Sequence, residues 1–175
     1  EGFSSLYSLV YHSHPPTLVK EIGQPFSVAP KAAIKNNMQN RSFLTYNTKT
    51  DGDYLKSRTP LLFNSDLTLG TAAPSKSMTD YFFKNSDADE VLFIHQGEGI
   101  LKTVYGQIPF EYGDYLVIPR GTIYQLHFHT TENRIFYTES FSPIKPPKRY
   151  MNQFGQFLEH SPYCERDLKL PENLE

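Results

Sequence analysis

The chain has no tryptophan, a single cysteine and no long apolar run. One cysteine, Cys164, excludes an internal disulfide and a cysteine zinc cluster. The longest apolar stretches are about four residues, as in Val91-Leu92-Phe93-Ile94. That is far short of the ~20 residues of a membrane-spanning helix, and no secretory signal opens the sequence. Charge of neither sign dominates: 17 basic and 19 acidic side chains leave a net charge of -2. Such a balance argues against a surface built to hold nucleic acid or an anionic membrane. The expectation is a soluble protein of a reducing compartment, with a cytoplasmic location and neither nucleic acid nor membrane as partner.

What is present points to strands. The 175 residues suit one domain, 14% of them are aromatic, and the 13 prolines outnumber the 10 glycines. Those biases favour short strands and shaped turns over a helical bundle. Three regions can be drawn. Residues 1–40 read as an irregular arm, with His14-Pro15-Pro16 forbidding a regular helix and at most one helical turn at Ile34 to Gln39. Residues 41–142 read as strands at roughly ten-residue intervals, the pattern of an antiparallel sandwich or barrel. The expected strands are Thr59–Phe63, Leu67–Ala72, Met78–Lys84, Glu90–His95, Ile100–Tyr105, Gln107–Phe110, Tyr115–Ile118, Ile123–His129 and Arg134–Phe141. Residues 143–175 read as a proline-punctuated arm or linker. The fold class is therefore all-β, a jelly-roll/β-sandwich with irregular N- and C-terminal arms.

Two stretches carry more specific information. Asp87 to Gly99 (DADEVLFIHQGEG) ends a buried strand in a Gly-Glu-Gly turn that calls for positive φ. Gly113 to Tyr124 (GDYLVIPRGTIY) starts a strand with Gly-Asp and closes it with Pro-x-Gly. In order and about fifteen residues apart, they resemble the two cupin motifs. Metal-binding cupins place His-x-His before the glutamate of the first motif and a further histidine after Pro-x-Gly. Here the two early positions are Phe83 and Asn85 and the late one is Tyr124, leaving only Glu90. Phenylalanine cannot ligate, and Asn and neutral Tyr are poor donors to Fe(II). The expectation is a cupin with no metal or cofactor of its own.

Other candidates carry two readings each. His127 and His129 stand two apart, so on one strand they share a face. A displaced metal pair working with Glu90 is one reading, and ordinary polar residues near a strand end the other; the lack of a nearby third ligand favours the second. His12-x-His14 sits in the arm, as a solvated or interface pair. His95 reads as a hydrogen-bonded barrel histidine, and His160 has no assignable partner. Arg120 could guard a pocket mouth for a carboxylate, or pair with Asp114 or Glu111. Cys164 has no activating pattern beside it.

Beyond the cupin motifs, Tyr11 to Thr17 (YHSHPPT), Met78 to Phe82 (MTDYF), Gly113 to Thr122 and Phe154 to Glu165 (FGQFLEHSPYCE) resemble homogentisate 1,2-dioxygenase in its bacterial form. The resemblance runs over almost the whole chain. It implies the N-terminal, cupin-like part of a non-haem Fe(II) enzyme of tyrosine and phenylalanine catabolism. That enzyme opens the ring of homogentisate with O2 to give maleylacetoacetate. It implies assembly as trimers and hexamers, and iron ligands that lie in a C-terminal catalytic domain outside these residues, so that no catalytic residue is expected in this chain. The chain's job would then be scaffolding. The competing reading is a stand-alone, metal-free cupin that binds a small molecule in an aromatic-lined cavity.

Overall fold

The computed structural model describes residues 11–12, 21–22, 24–33 and 38–173. The helical turn expected at Ile34 to Gln39 and the histidine pair's His14 lie largely or wholly outside them. Nine strands follow in order: β1 (Arg58–Phe63), β2 (Leu67–Ala72), β3 (Phe83–Lys84), β4 (Asp89–Gln96), β5 (Gly99–Thr103), β6 (Gly106–Phe110), β7 (Tyr115–Ile118), β8 (Ile123–Phe128) and β9 (Arg134–Ser140). They form two antiparallel sheets, β1-β2-β9-β4-β7 and β3-β8-β5-β6. The protein is all-β, with the jelly-roll/β-sandwich architecture that the sequence predicts. No helix among the described residues is long and apolar enough to cross a membrane.

Alternation builds the core. On β4, Glu90, Leu92 and Ile94 are buried while Val91, Phe93 and His95 face outward. On β9, Ile135 and Tyr137 are buried beside them, in register with Ile94 and Leu92. Leu116 and Ile118 of β7, Leu101 of β5 and Tyr124 and Leu126 of β8 complete one apolar cluster between the sheets. Burying a side chain of this size stabilises by about 1.5–3 kcal/mol, so two facing sheets rather than one make the domain.

The Gly-Glu-Gly turn works differently at its two ends. Gly97 has φ +109°, and a Cβ there would meet the carboxamide oxygen of buried Asn133 at 2.1 Å. Gly99 has no positive φ; instead a Cβ would meet the carbonyl oxygen of His127 at 2.0 Å. Only the first glycine is conformational, and the second lets β5 approach β8.

The expected strand Met78–Lys84 shrinks to Phe83–Lys84. The preceding residues still run along β8, but through mixed bonds. Met78 donates its N–H to Leu126 O (2.9 Å), the Gln125 amide donates to Tyr81 O (2.9 Å), and Phe128 N–H donates to the Ser77 hydroxyl (2.8 Å). Side chains replace the backbone ladder there, so no regular strand forms. Among the described residues, the arm after β9 closes the β6 edge: Gln107 N–H donates to Asn173 O and Glu172 N–H to Gln107 O, both at 2.9 Å. An edge covered in this way cannot template pairing with another chain.

Candidate functional site

The four positions where metal-binding cupins carry ligands converge inside the sandwich. Phe83 pairs with Tyr124 across β3 and β8, their rings edge-on with centroids 5.6 Å apart. Tyr124 is fully buried and donates its hydroxyl to Glu90 Oε2 at 2.7 Å. Tyr54, also fully buried, reaches Glu90 Oε1 at 3.4 Å. Asn85 has both ends of its carboxamide engaged. Its Oδ1 accepts from the N–H groups of Asp87 (3.1 Å) and Ala88 (3.0 Å), and its Nδ2 donates to Glu139 Oε1 at 2.9 Å.

Arg58 supplies the positive charge. Its side chain is 9% exposed, pairs through Nη2 with Glu139 and lies with Nη1 3.7 Å from Glu90 Oε1. Its guanidinium also sits over the Tyr137 ring, 4.2 Å from the centroid. The centre therefore holds two carboxylates, one guanidinium and three buried tyrosines. Burial pushes the Glu90 carboxyl above the ordinary glutamate value; the Tyr124 hydrogen bond and the Arg58 charge counter this only in part. Burial also drives the Tyr54 and Tyr124 phenols well up, with the Glu90 charge adding to it, so both remain hydrogen-bond donors.

These residues do not fit a ferrous ion. Phe83 offers no donor atom, and Tyr124 is a neutral phenol pointing its proton at Glu90. The amide oxygen of Asn85 is held by two backbone N–H groups. The carboxylate among the four positions, Glu90, already accepts from Tyr124 and faces a guanidinium. Ligands for such a metal must be lone-pair donors directed at one empty point, and here they are directed at one another.

Four of the network's members, Tyr54, Arg58, Tyr137 and Glu139, are not singled out by motif. Strand parity offers the signal: Ile135, Tyr137 and Glu139 share the inner face of β9, and Glu139 lies opposite Glu90. Beside this network opens a cleft of about 510 Å³, whose lining includes Phe26, Arg58, Thr68, Tyr137 and Glu139.

The remaining candidates are dispersed. His127 is half-buried with Nε2 2.6 Å from Gln125 Oε1, whereas His129 lies just past the end of β8, exposed, its N–H on Glu98 O. Among the described residues no three His, Cys, Asp or Glu side chains are grouped closely enough to hold a metal ion. His95 is not a barrel histidine: the parity of β4 turns it outward, into ring contacts with Tyr46, Phe93 and Tyr112. Arg120 does not meet Asp114 or Glu111, which Lys169 occupies. It turns back onto Asp89, through its N–H (2.9 Å) and Nε (3.3 Å), and onto Phe141 O. His12 and His160 are exposed, and Cys164 is half-buried.

Two facing antiparallel sheets, closed around an interior carrying the glutamate of the first motif, define a cupin-type domain. The chain belongs to the family described as homogentisate 1,2-dioxygenase N-terminal, whose model matches residues 33–148. It is 36% identical over 170 residues to a Saccharolobus solfataricus protein provisionally named a dioxygenase. That match takes in 97% of this chain but 44% of the relative, so the chain spans less than half of the relative's length. Solved structures resemble it more distantly. A cupin-2 domain protein of Shewanella frigidimarina has a TM-score of 0.42 and 19% identity, covering 48% of this chain and 79% of that one. KdgF from Halomonas has a TM-score of 0.44 and 14% identity, covering 49% and 80%.

Proposed function

We propose that this chain is the scaffold part of an Fe(II)-dependent homogentisate 1,2-dioxygenase. The whole enzyme opens the ring of homogentisate with O2 to give maleylacetoacetate, in the cytoplasmic breakdown of tyrosine and phenylalanine. Iron, substrate and O2 are held by a C-terminal catalytic domain, and this chain packs against that domain and supports a trimeric or hexameric assembly. One observation carries the reading. In a member of this family, the cupin ligand positions Phe83, Asn85 and Tyr124 are built into a closed network around Glu90 and Arg58. A domain whose centre is filled in this way contributes surface rather than chemistry. The arm after β9 supports it, since Phe154 (67%), Leu168 (49%) and Leu170 (74%) are exposed apolar groups of the kind that a neighbouring domain covers.

The test compares this chain with the gene product containing it, by metal analysis and by O2 uptake with homogentisate. The longer product should hold about one iron per subunit and consume O2, and the 175-residue chain should do neither. Stoichiometric iron and turnover in the 175-residue chain would overturn the reading.

A further inference from the structure

The outer face of the five-stranded sheet carries a second cavity, of about 240 Å³, roofed by the 3-10 turn Thr45–Asn47. Thr71 of β2, Phe93 and His95 of β4, and Arg134 and Phe136 of β9 line it because their strand neighbours Ala72, Ile94 and Ile135 point into the core. Tyr46 closes the top. Arg134 Nε donates to Tyr46 O at 3.2 Å, and the guanidinium lies 5.4 Å from the Tyr46 ring centroid. The His95 ring stands 6.2 Å from that of Tyr46 and 6.3 Å from that of Phe93.

The polar groups of this cavity are incompletely answered. Arg134 also donates from Nη1 to Asn133 O at 3.0 Å, yet among the described residues it has no carboxylate partner. No aspartate or glutamate lines the space. The Thr71 hydroxyl is buried there with no hydrogen-bond partner. A half-buried guanidinium without an anion beside three aromatic walls describes a site that lacks a planar anion.

We propose that this cavity binds a small aromatic carboxylate. The carboxylate takes the remaining N–H groups of Arg134. The ligand ring packs edge or face against Tyr46, Phe93 and Phe136. The site lies on the opposite face of the sheet from the Glu90 network, and the argument is independent of where iron is held.

Benzoate is the probe, with benzyl alcohol and benzylamine as ring-bearing controls. Titration calorimetry and NMR that observes the resonances of the 175-residue chain would follow binding. Benzoate should bind at least about tenfold more tightly than either control, the difference expected of a charge-assisted hydrogen bond pair. Arg134→Gln should weaken benzoate by about tenfold or more and leave benzyl alcohol unchanged, while Arg134→Lys keeps part of the affinity. Because Arg134 also holds the roof, the ranking of the three probes on the unaltered chain is the primary readout. Equal binding of the three probes would overturn the proposal. So would resonance shifts centred on the Arg58 cleft, or an absence of saturable binding at millimolar benzoate, the result expected if a protein partner fills this face.

Discussion

Tyr124→Phe removes one oxygen from the centre of the sandwich and nothing else. The ring keeps its edge-on contact with Phe83, so packing is conserved and the effect isolates the 2.7 Å hydrogen bond to Glu90. Glu90 is fully buried, so water cannot replace the lost donor. The Tyr54 hydroxyl stands 3.4 Å away and Arg58 Nη1 3.7 Å, so neither makes up for it with a short bond. A hydrogen bond to a charged group contributes about 1.5–3 kcal/mol, and about 2 is expected here at mildly alkaline pH. In a domain of this size that lowers Tm by about 4–8 °C. The sign of the pH dependence follows from linkage. Glu90 titrates above its unfolded value in the folded chain. The stability tied to its proton is therefore complete below the unfolded value of about 4.3 and is lost as pH rises through the folded value. The Tyr124 bond restrains that rise, so Tyr124→Phe pushes the folded value higher still and the variant loses more than the parent as pH increases. In acid, where Glu90 is protonated in both states, only a neutral bond is missing, worth about 1 kcal/mol. Glu90→Gln removes the titration, so the stability of the parent relative to this variant should fall as pH rises from the unfolded value of about 4.3 into the alkaline range. Urea unfolding followed by circular dichroism across that range measures both. A Tyr124→Phe loss below about 0.5 kcal/mol, or one larger in acid than in alkali, would refute the idea that Tyr124 holds an ionisable buried carboxylate.

Two further outcomes follow from the same coordinates. Gly70→Ala places a Cβ 2.4 Å from the Tyr137 ring and hydroxyl and 2.6 Å from the backbone oxygen of Thr59. Because neither β1 nor β9 can yield cheaply, a loss of about 3 kcal/mol or more is expected in thermal unfolding or soluble yield; a near-neutral result would mean that the two strands can part around β2. Asp89 accepts from Arg120 N–H, Arg120 Nε and Ile144 N–H (2.7 Å). Burial would raise its pKa, but those backbone donors outweigh it and hold the carboxyl below the usual range. Asp89→Asn should cost about 2 kcal/mol at neutral pH, after discounting the part-exposed Arg120. The gap should close as acid protonates the parent below about pH 4, and a constant gap across that range would point to shape rather than charge.

Strands whose alternation is clean and whose ends carry turn residues are legible in the sequence. Leu67–Ala72 and Tyr115–Ile118 coincide with β2 and β7 residue for residue. Met78–Lys84 is not, because Ser77 and Gln125 make bonds there that the backbone makes elsewhere, and composition does not register which group donates. Of the candidate site, Phe83, Asn85, Glu90 and Tyr124 are legible from motif spacing. Tyr54, Arg58 and Glu139 are not, since the long reach of Arg58 across two strands leaves no trace in local pattern. His95 was open to a parity argument: a residue one step from Ile94 on β4 must face away from it. Arg120 went to Asp89 rather than Asp114 because sheet pairing carries the start of β4 to the turn after β7.

The network also constrains what this centre can become. A carboxylate inside a low-dielectric sandwich needs a positive partner or a proton. In a metal-binding cupin the ion supplies that charge; here Arg58 supplies it, shared between Glu90 and Glu139. Replacing Phe83, Asn85 and Tyr124 with histidines would therefore not by itself make an iron site. A divalent cation beside Glu90 would stand close to a guanidinium whose Nη1 is 3.7 Å from the same carboxylate. Like charges at such separations repel strongly when buried. Removing Arg58 first would leave two adjacent buried carboxylates with no cation, a state that calls for a proton or a metal. The absence of imidazole ligands and the presence of Arg58 are thus two halves of one electrostatic arrangement around Glu90 and Glu139.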